Sequence, residues 1–274
     1  MNTFAQRRLR NIALAGAAAG LVVALDQLYD MSLRYAAFLN GWLLLVAMVF
    51  LAAFNLRKKI HVLQLLPMST WLQGHVYVGC LCILLFLLHT EFALPNGMFE
   101  VALWVLFVAM VTSGVLGFTL SRVLPRRIGA RGERVIFERI PGFRAQIGRE
   151  VEELAMASVR ETRSSSIADF YVAELAPYLH KPRNFIGHLL GSNRAERRLH
   201  TQIQELERYL DHKGREILAQ IDSLVTAKAN LDHHYALQLI LKTWLFVHIP
   251  LNYGLMLFTV AHVVIVYAFS AGTP

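Results

Sequence analysis

Over its first 120 residues the chain is written in long apolar blocks separated by short polar ones. The blocks run from Ile12 to Leu25, from Tyr35 to Phe54, from about Trp71 to His89 and from Phe99 to Leu120, and a fifth, Thr243 to Phe269, closes the chain. A helix that spans a bilayer needs about 17–25 such residues, so four blocks read as full spans and the first as a short one. A cleaved leader has the form of that first block too, with Arg7, Arg8 and Arg10 ahead of it. The small residues between Gly16 and Gly20 fall mid-run and no cleavage site follows, so the block is taken as a span. Between the blocks, Asp26 to Arg34 reads as a polar turn. Arg57-Lys-Lys59, with His61 and Pro67, reads as a basic loop, and Glu91 to Gly97 as a turn built on Pro95-Asn-Gly97.

The pattern changes at residue 121. Arg122 to Ile128, with Pro125 inside it, is expected to end the fourth helix, and Arg134 to Ile140 has the look of a short strand. Gln146 to Glu161 carries a helical stripe through Ile147, Val151, Leu154 and Val159. Ser164-Ser-Ser166 breaks it, and Ser166 with Asp169 marks a new helix start that stops at Lys181-Pro182. From Asn193 to about His234 one long helix is expected, with Ile203, Leu210, Ile217, Leu224 and Leu231 every seventh residue. That stripe suits either a coiled-coil contact with a homo- or hetero-oligomeric partner or packing against the preceding helices. The second alternative is favoured because the companion stripe fails at Lys213 and Gln220. The predicted class is therefore an all-α membrane protein of five transmembrane helices. Residues 1–120 hold four spans, 121–242 a mostly helical soluble insertion, and 243–274 the fifth span, into which the long helix can run directly.

Composition agrees: 55% of residues are apolar, mean hydropathy is +0.44, and the net charge is +8. Basic excess can signal nucleic acid, but in a chain with five apolar blocks it reports topology, so no nucleic-acid partner is expected. Outside the insertion, six of seven basic residues precede the first span or follow the second, whereas Asp26, Asp30, Glu91 and Glu100 sit at the opposite ends. Positive residues stay inside, which puts the N-terminus and the 121–242 insertion in the cytoplasm of a bacterial-type inner membrane and the C-terminus outside. Cys80 and Cys82, two residues apart on one helix, point to different faces and are not expected to bridge.

Four histidines carry the candidate chemistry. His75 and His89 lie in the third span and His248 and His262 in the fifth, each pair fourteen residues apart. Fourteen residues turn a helix through about 1,400°, within about 40° of four full turns, so each pair shares one face, with about 21 Å between its members. An ionisable side chain inside a span is a functional hypothesis by default. Two equal pairs on two helices suit two haem b groups at two levels, with iron held between His75 and His248 at the inner level and between His89 and His262 at the outer. Such iron has no open position, which suits electron transfer over oxygen or substrate activation. Gly79 and Gly254 are candidate contacts where a flat macrocycle approaches the backbone, although close helix packing uses glycine in the same way. Arg57 and Arg122, with Lys58, Lys59, Arg126, Arg127 and Lys242, are candidate inner-level cations for propionates; the outer level offers Arg34 and Asn96. Phe86, Phe246 and Phe258 are candidate apolar walls, Pro250 a kink, and Asn252 a partner for the carbonyl it frees. His61, His180, His188, His200, His212, His233 and His234 lie in polar segments and read as surface residues.

On these four histidines and their topology the chain resembles the transmembrane domain of ferric reductases and NADPH oxidases, and more distantly the cytochrome b of quinol–cytochrome c oxidoreductases. The resemblance covers the spans, about half the chain. It implies paired histidines on the third and fifth spans holding two stacked haems. The chain departs from both groups. No G-x-G-x-x-G flavin or nicotinamide fingerprint follows, the chain stops after the fifth span, and the 121–242 insertion belongs to neither pattern. The expected role is thus an electron-transfer subunit of an oxidoreductase, with redox partner proteins on one or both membrane faces or the quinone pool as donor and acceptor. A quinol-oxidising or ferric-type reductase subunit is the alternative. A non-haem metal transporter or a membrane scaffold is a more distant one, since such paths use carboxylates that the span centres lack.

Overall fold

The computed structural model describes residues 4–31, 36–56, 67–129, 135–162, 164–180, 187, 192 and 194–270. Every regular element among them is helical: α1 (Phe4–Met31), α2 (Ala36–Leu56), α3 (Met68–His89), α4 (Met98–Gly129), α5 (Ile140–Thr162), α6 (Ser166–Phe170), α7 (Ala176–Leu179), α8 (Arg194–Glu207) and α9 (His212–Ser270). Five of them, α1 to α4 and α9, are long and apolar enough to cross a membrane. The chain divides into two compact units, Met1–Phe118 with Leu245–Pro274 and Thr119–Trp244. The basic loop Arg57-Lys-Lys59 with His61, and also Arg34, His188 and Lys181-Pro182, lie outside the described residues.

In the first unit a small core of Leu44, Met48, Cys82, Leu85, Phe107 and Leu255 joins α2, α3, α4 and α9. Little else is buried, as expected for helices whose outward faces meet lipid instead of water. Helix α1 does not stop at Leu25. It continues to Met31, carrying Asp26 within it. The polar turn expected there is unnecessary because Asn40 Nδ2, on α2, donates to Asp26 Oδ1 at 2.6 Å and satisfies the carboxylate inside the helix pair. The turn after α3 is tight. Thr90 Oγ1 donates to the Phe86 carbonyl at 3.0 Å, and Phe92 N–H reaches Leu87 O at 3.0 Å. Glu91 and Phe92 both hold positive φ, 50° and 60°, a region that side chains other than glycine enter at a cost. Glu100 accepts from the backbone N–H groups of Asn96 and Gly97 and so caps the start of α4.

The second unit has a closed apolar core of its own. Ile140, Val151, Leu175, Leu218, Ile221 and Val225 are sealed in it. The sevenfold stripe turns inward: Ile203, Leu210, Ile217 and Leu231 are buried, with Leu224 packed against the same cluster. The stripe therefore serves intramolecular packing. One long helix from Asn193 does not form. The chain turns at Arg208–Asp211, where Asp211 Oδ1 accepts from Gly214 N–H at 2.9 Å and caps the new helix α9. From there α9 runs on through Pro250 to Ser270, 59 residues in all. The strand expected at Arg134–Ile140 is not formed in its described part. Phe137–Arg139 is one 3-10 turn entering α5. No strand is present among the described residues to give it a ladder, and Phe137 instead stacks on Tyr235 at 5.0 Å. Lys242 pairs with Glu138 and holds its carboxyl below the usual carboxylate range through that hydrogen bond.

Helix α4 is not ended by Pro125 but continues to Gly129, with Leu124 and Ile128 packed on Leu237. His233 and His234, expected at the surface, are buried. Their Nε2 atoms donate to the carbonyls of Arg127 at 3.4 Å and Ile128 at 3.2 Å, capping the C-terminal end of α4. A buried ion pair lies close by in sequence. Lys228, wholly buried, donates to Asp232 Oδ2 at 2.6 Å and lies 3.8 Å over the Tyr178 ring, while Arg144 stands 3.7 Å from Asp232 Oδ1.

Candidate functional site

In the first unit His89 of α3 stands ring to ring with His262 of α9, and His75 of α3 is near His248 of α9. The rings of His89 and His262 stand with centroids 6.1 Å apart and planes at 84°. His75 and His248 lie within electrostatic reach of each other. The N-terminal member on α3 thus meets the N-terminal member on α9, so the two helices run parallel here. A metal between two imidazoles needs nitrogen–metal distances of about 2 Å on each side, which brings the ring centroids to about 6 Å. The outer pair already has that separation.

Each outer ring is held from outside the pair. His89 Nδ1 lies 2.8 Å from the Ala37 carbonyl oxygen on α2. A carbonyl only accepts, so Nδ1 carries the proton and the neutral ring keeps its lone pair on Nε2, the arrangement a metal-binding histidine needs. Gly41, one turn further along α2, lies against the same ring. A Cβ there would stand 2.9 Å from His89 Cε1 and 3.1 Å from Nδ1, so only glycine fits. Phe99 of α4 stacks on His262, 6.3 Å away at 18°, and on Phe258 at 5.8 Å. Around the two histidines is a cavity of about 400 Å³, within the range of ligand pockets, walled by Trp42, Phe86, Trp104 and Phe107 with Thr90, Asn96 and Glu100 as polar groups.

At the inner level, His248 Nδ1 is 3.0 Å from Ser113 Oγ on α4. Either group can donate, so this bond orients the His248 ring without fixing its tautomer. The Phe54 ring is 5.1 Å from that of His75. His75 Nδ1 is buried without a hydrogen-bond partner, as is Trp71 Nε1 one turn earlier. A buried polar atom left unpaired costs about 1–3 kcal/mol, which the packing of His75 on Phe54 and of Trp71 on Phe50 offsets in part.

The other candidate residues divide. A Cβ at Gly79 or Gly254 would meet nothing within 4 Å, so open space adjoins the helices at these positions. Phe86 walls the outer cavity and stacks on Phe107 at 3.9 Å. Phe246, 80% exposed, does not act as a wall within the unit. Asn252 makes no side-chain hydrogen bond among the described residues, and helix α9 passes Pro250 without interruption. Arg122 belongs to the second unit with an exposed side chain, and Arg57 lies outside the described residues. Among the described residues no group of three or more His, Cys, Asp and Glu gathers around a point, so the arrangement is one of facing pairs. Sequence reasoning missed Ala37, Gly41, Ser113 and Phe99. Gly41 and Ser113 stand out within apolar runs, but a backbone carbonyl and a phenyl face leave no mark. No family model, curated protein or solved structure matches the chain.

Proposed function

We propose that the first unit is a b-type cytochrome that holds two haems at two depths of the membrane and passes electrons between them. The observation that carries this reading is the outer pair: two histidines from parallel helices, 6.1 Å apart, one of them fixed by Ala37 in the Nδ1–H form. His89 and His262 would hold the outer iron and His75 and His248 the inner one. Haem, when bound, supplies one-electron chemistry, and iron with two nitrogen ligands has no vacant position for substrate. The chain's own residues orient and insulate. Ala37 sets which His89 nitrogen is presented, Ser113 orients the His248 ring, Gly41 leaves room for the His89 ring, and the aromatic walls keep water away. Open space beside Gly79 and Gly254 is compatible with a flat group lying close to the helices.

In the same reading the N-terminus and the second unit face the cytoplasm of a bacterial-type inner membrane, on the strength of the Arg and Lys distribution. Electron donor and acceptor are redox proteins at either face or the quinone pool. The resemblance to ferric reductase and NADPH oxidase spans supports the ligand set only. The test is a reduced-minus-oxidised optical spectrum of the purified protein with haem and protein quantified together. Two haems per chain, with the spectrum of bis-histidine iron, are expected. A colourless protein overturns the reading, and saturable binding of divalent cations by that material would favour the transporter alternative.

A further inference from the structure

We propose that Asn40 and Asp26 are positioning residues for His89: their hydrogen bond between α2 and α1 fixes the rotation of the α2 turn that holds the imidazole. The role rests on reading His89 as an iron ligand.

Asn40, Leu44 and Met48 form the inward stripe of α2, spaced four residues apart and all buried. The last two are apolar and join the core. Asn40, only 1% exposed, is the exception. Its Nδ2 donates to Asp26 at 2.6 Å, while its Oδ1 is buried without a partner. An interhelical hydrogen bond can hold two helices together in lipid, though the unpartnered acceptor offsets part of that gain. Joining α1 to α2 does not by itself explain why the bond lies in this turn.

The neighbours of Asn40 in its own turn do. Ala37, three residues before, provides the carbonyl 2.8 Å from His89 Nδ1. Gly41, the next residue, brings the helix close to the same ring. Two approaches of helix α2 to His89, at Ala37 and Gly41, are thus made by the main chain. Neither contact has a side chain that can adjust. If α2 turns about its axis, the carbonyl swings off the nitrogen and the backbone at Gly41 moves against the ring. Apolar packing at Leu44 and Met48 resists separation but is non-directional. The Asn40–Asp26 bond has a direction, and it lies in the turn where rotation must be fixed.

The experiment compares the full-length protein with three variants: Asn40→Leu, Asp26→Asn, and the exchange Asp26→Asn with Asn40→Asp. Midpoint potential and low-temperature electron paramagnetic resonance are read at each haem level. In a haem-free preparation, ¹⁵N signals of labelled histidine report whether His89 keeps the Nδ1–H form. Asn40→Leu is expected to shift the outer-level potential and resonance and to erase the single-tautomer His89 signal, with the inner level unchanged. Asp26→Asn is expected to do so less, and the exchange to restore both. An unchanged outer level in Asn40→Leu, or equal loss at both levels, overturns the positioning role. A wild-type protein without haem overturns the proposed function instead, and the ¹⁵N signals then decide the positioning role by themselves.

Discussion

Ser113 Oγ and His248 Nδ1 stand 3.0 Å apart, joining two helices whose contacting residues are 135 positions apart in the chain. The hydroxyl gives the His248 ring a hydrogen-bond partner on a neighbouring helix, as the Ala37 carbonyl does for the His89 ring. Partners of this kind set the tautomer and orientation of a ligand, and losing one typically costs about 10–100-fold in affinity. Ser113→Ala is expected to weaken inner haem retention by about that factor, with Ser113→Thr close to wild type; haem content after graded detergent washing measures it.

Removing a ligand separates the levels. His75→Ala or His248→Ala is expected to leave one haem per chain, with the outer-level potential present and the inner one gone. His89→Ala or His262→Ala is expected to do the reverse. A haem-to-protein ratio of two in any of the four variants contradicts the pairing.

Gly41→Ala and Gly79→Ala make a contrast of local space. The first places a methyl 2.9 Å from the His89 ring and the second places one in open space. Gly41→Ala is expected to reduce outer haem content and alter its resonance. Gly79→Ala is expected to leave the haem-free protein's thermal stability within about 1 kcal/mol of wild type, the ordinary size of the glycine-to-alanine difference in a helix. Titrating the outer level with added haem, and melting the haem-free protein by circular dichroism, separate the two effects.

Lys228 and Asp232 make a stability prediction in the second unit. Removing one partner of a buried pair leaves a charge without compensation and costs about 3–5 kcal/mol. Asp232→Ala is expected to destabilise this unit by about that amount, since Lys228 is sealed and Arg144 stands 3.7 Å from the same carboxylate. Protease susceptibility at sites in residues 140–230, followed against denaturant, reads it out.

The exposed Glu138–Lys242 pair predicts an acid effect. Hydrogen bonding by Lys242 lowers the Glu138 carboxyl from its ordinary value of 4.5. A depressed folded-state value means the pair contributes above that ordinary value and the contribution fades as pH falls through the lowered one. In Glu138→Gln the fall in stability below pH 4.5 is expected to be shallower than in wild type, measured as the denaturation midpoint from pH 6 to 3.

Much of this molecule is legible in its residues. The apolar blocks from Ile12, Trp71, Phe99 and Thr243 lie within long helices, and the block from Tyr35 does so from Ala36 on. The failures have local causes. Asp26 looked like the end of a helix because a carboxylate in a span looks exposed until Asn40 is brought beside it. Pro125 looked like a stop, but packing of Leu124 and Ile128 on Leu237 carries α4 past it. His233 and His234 looked like surface residues because their acceptors, the last carbonyls of α4, are more than a hundred residues away. Each depended on a long-range contact, which periodicity along a chain does not encode.

The acceptor for His89 is a main-chain oxygen. Within an α-helix the carbonyl of residue 37 also receives the amide proton of residue 41, the glycine that makes space for the ring. Side-chain scanning at position 37 is therefore blind to this bond, and alanine scanning passes over the position because it is already alanine. Only edits to the main chain, such as an ester in place of an amide or a residue inserted upstream in α2, would disclose how much of the imidazole's chemistry is held by a peptide group.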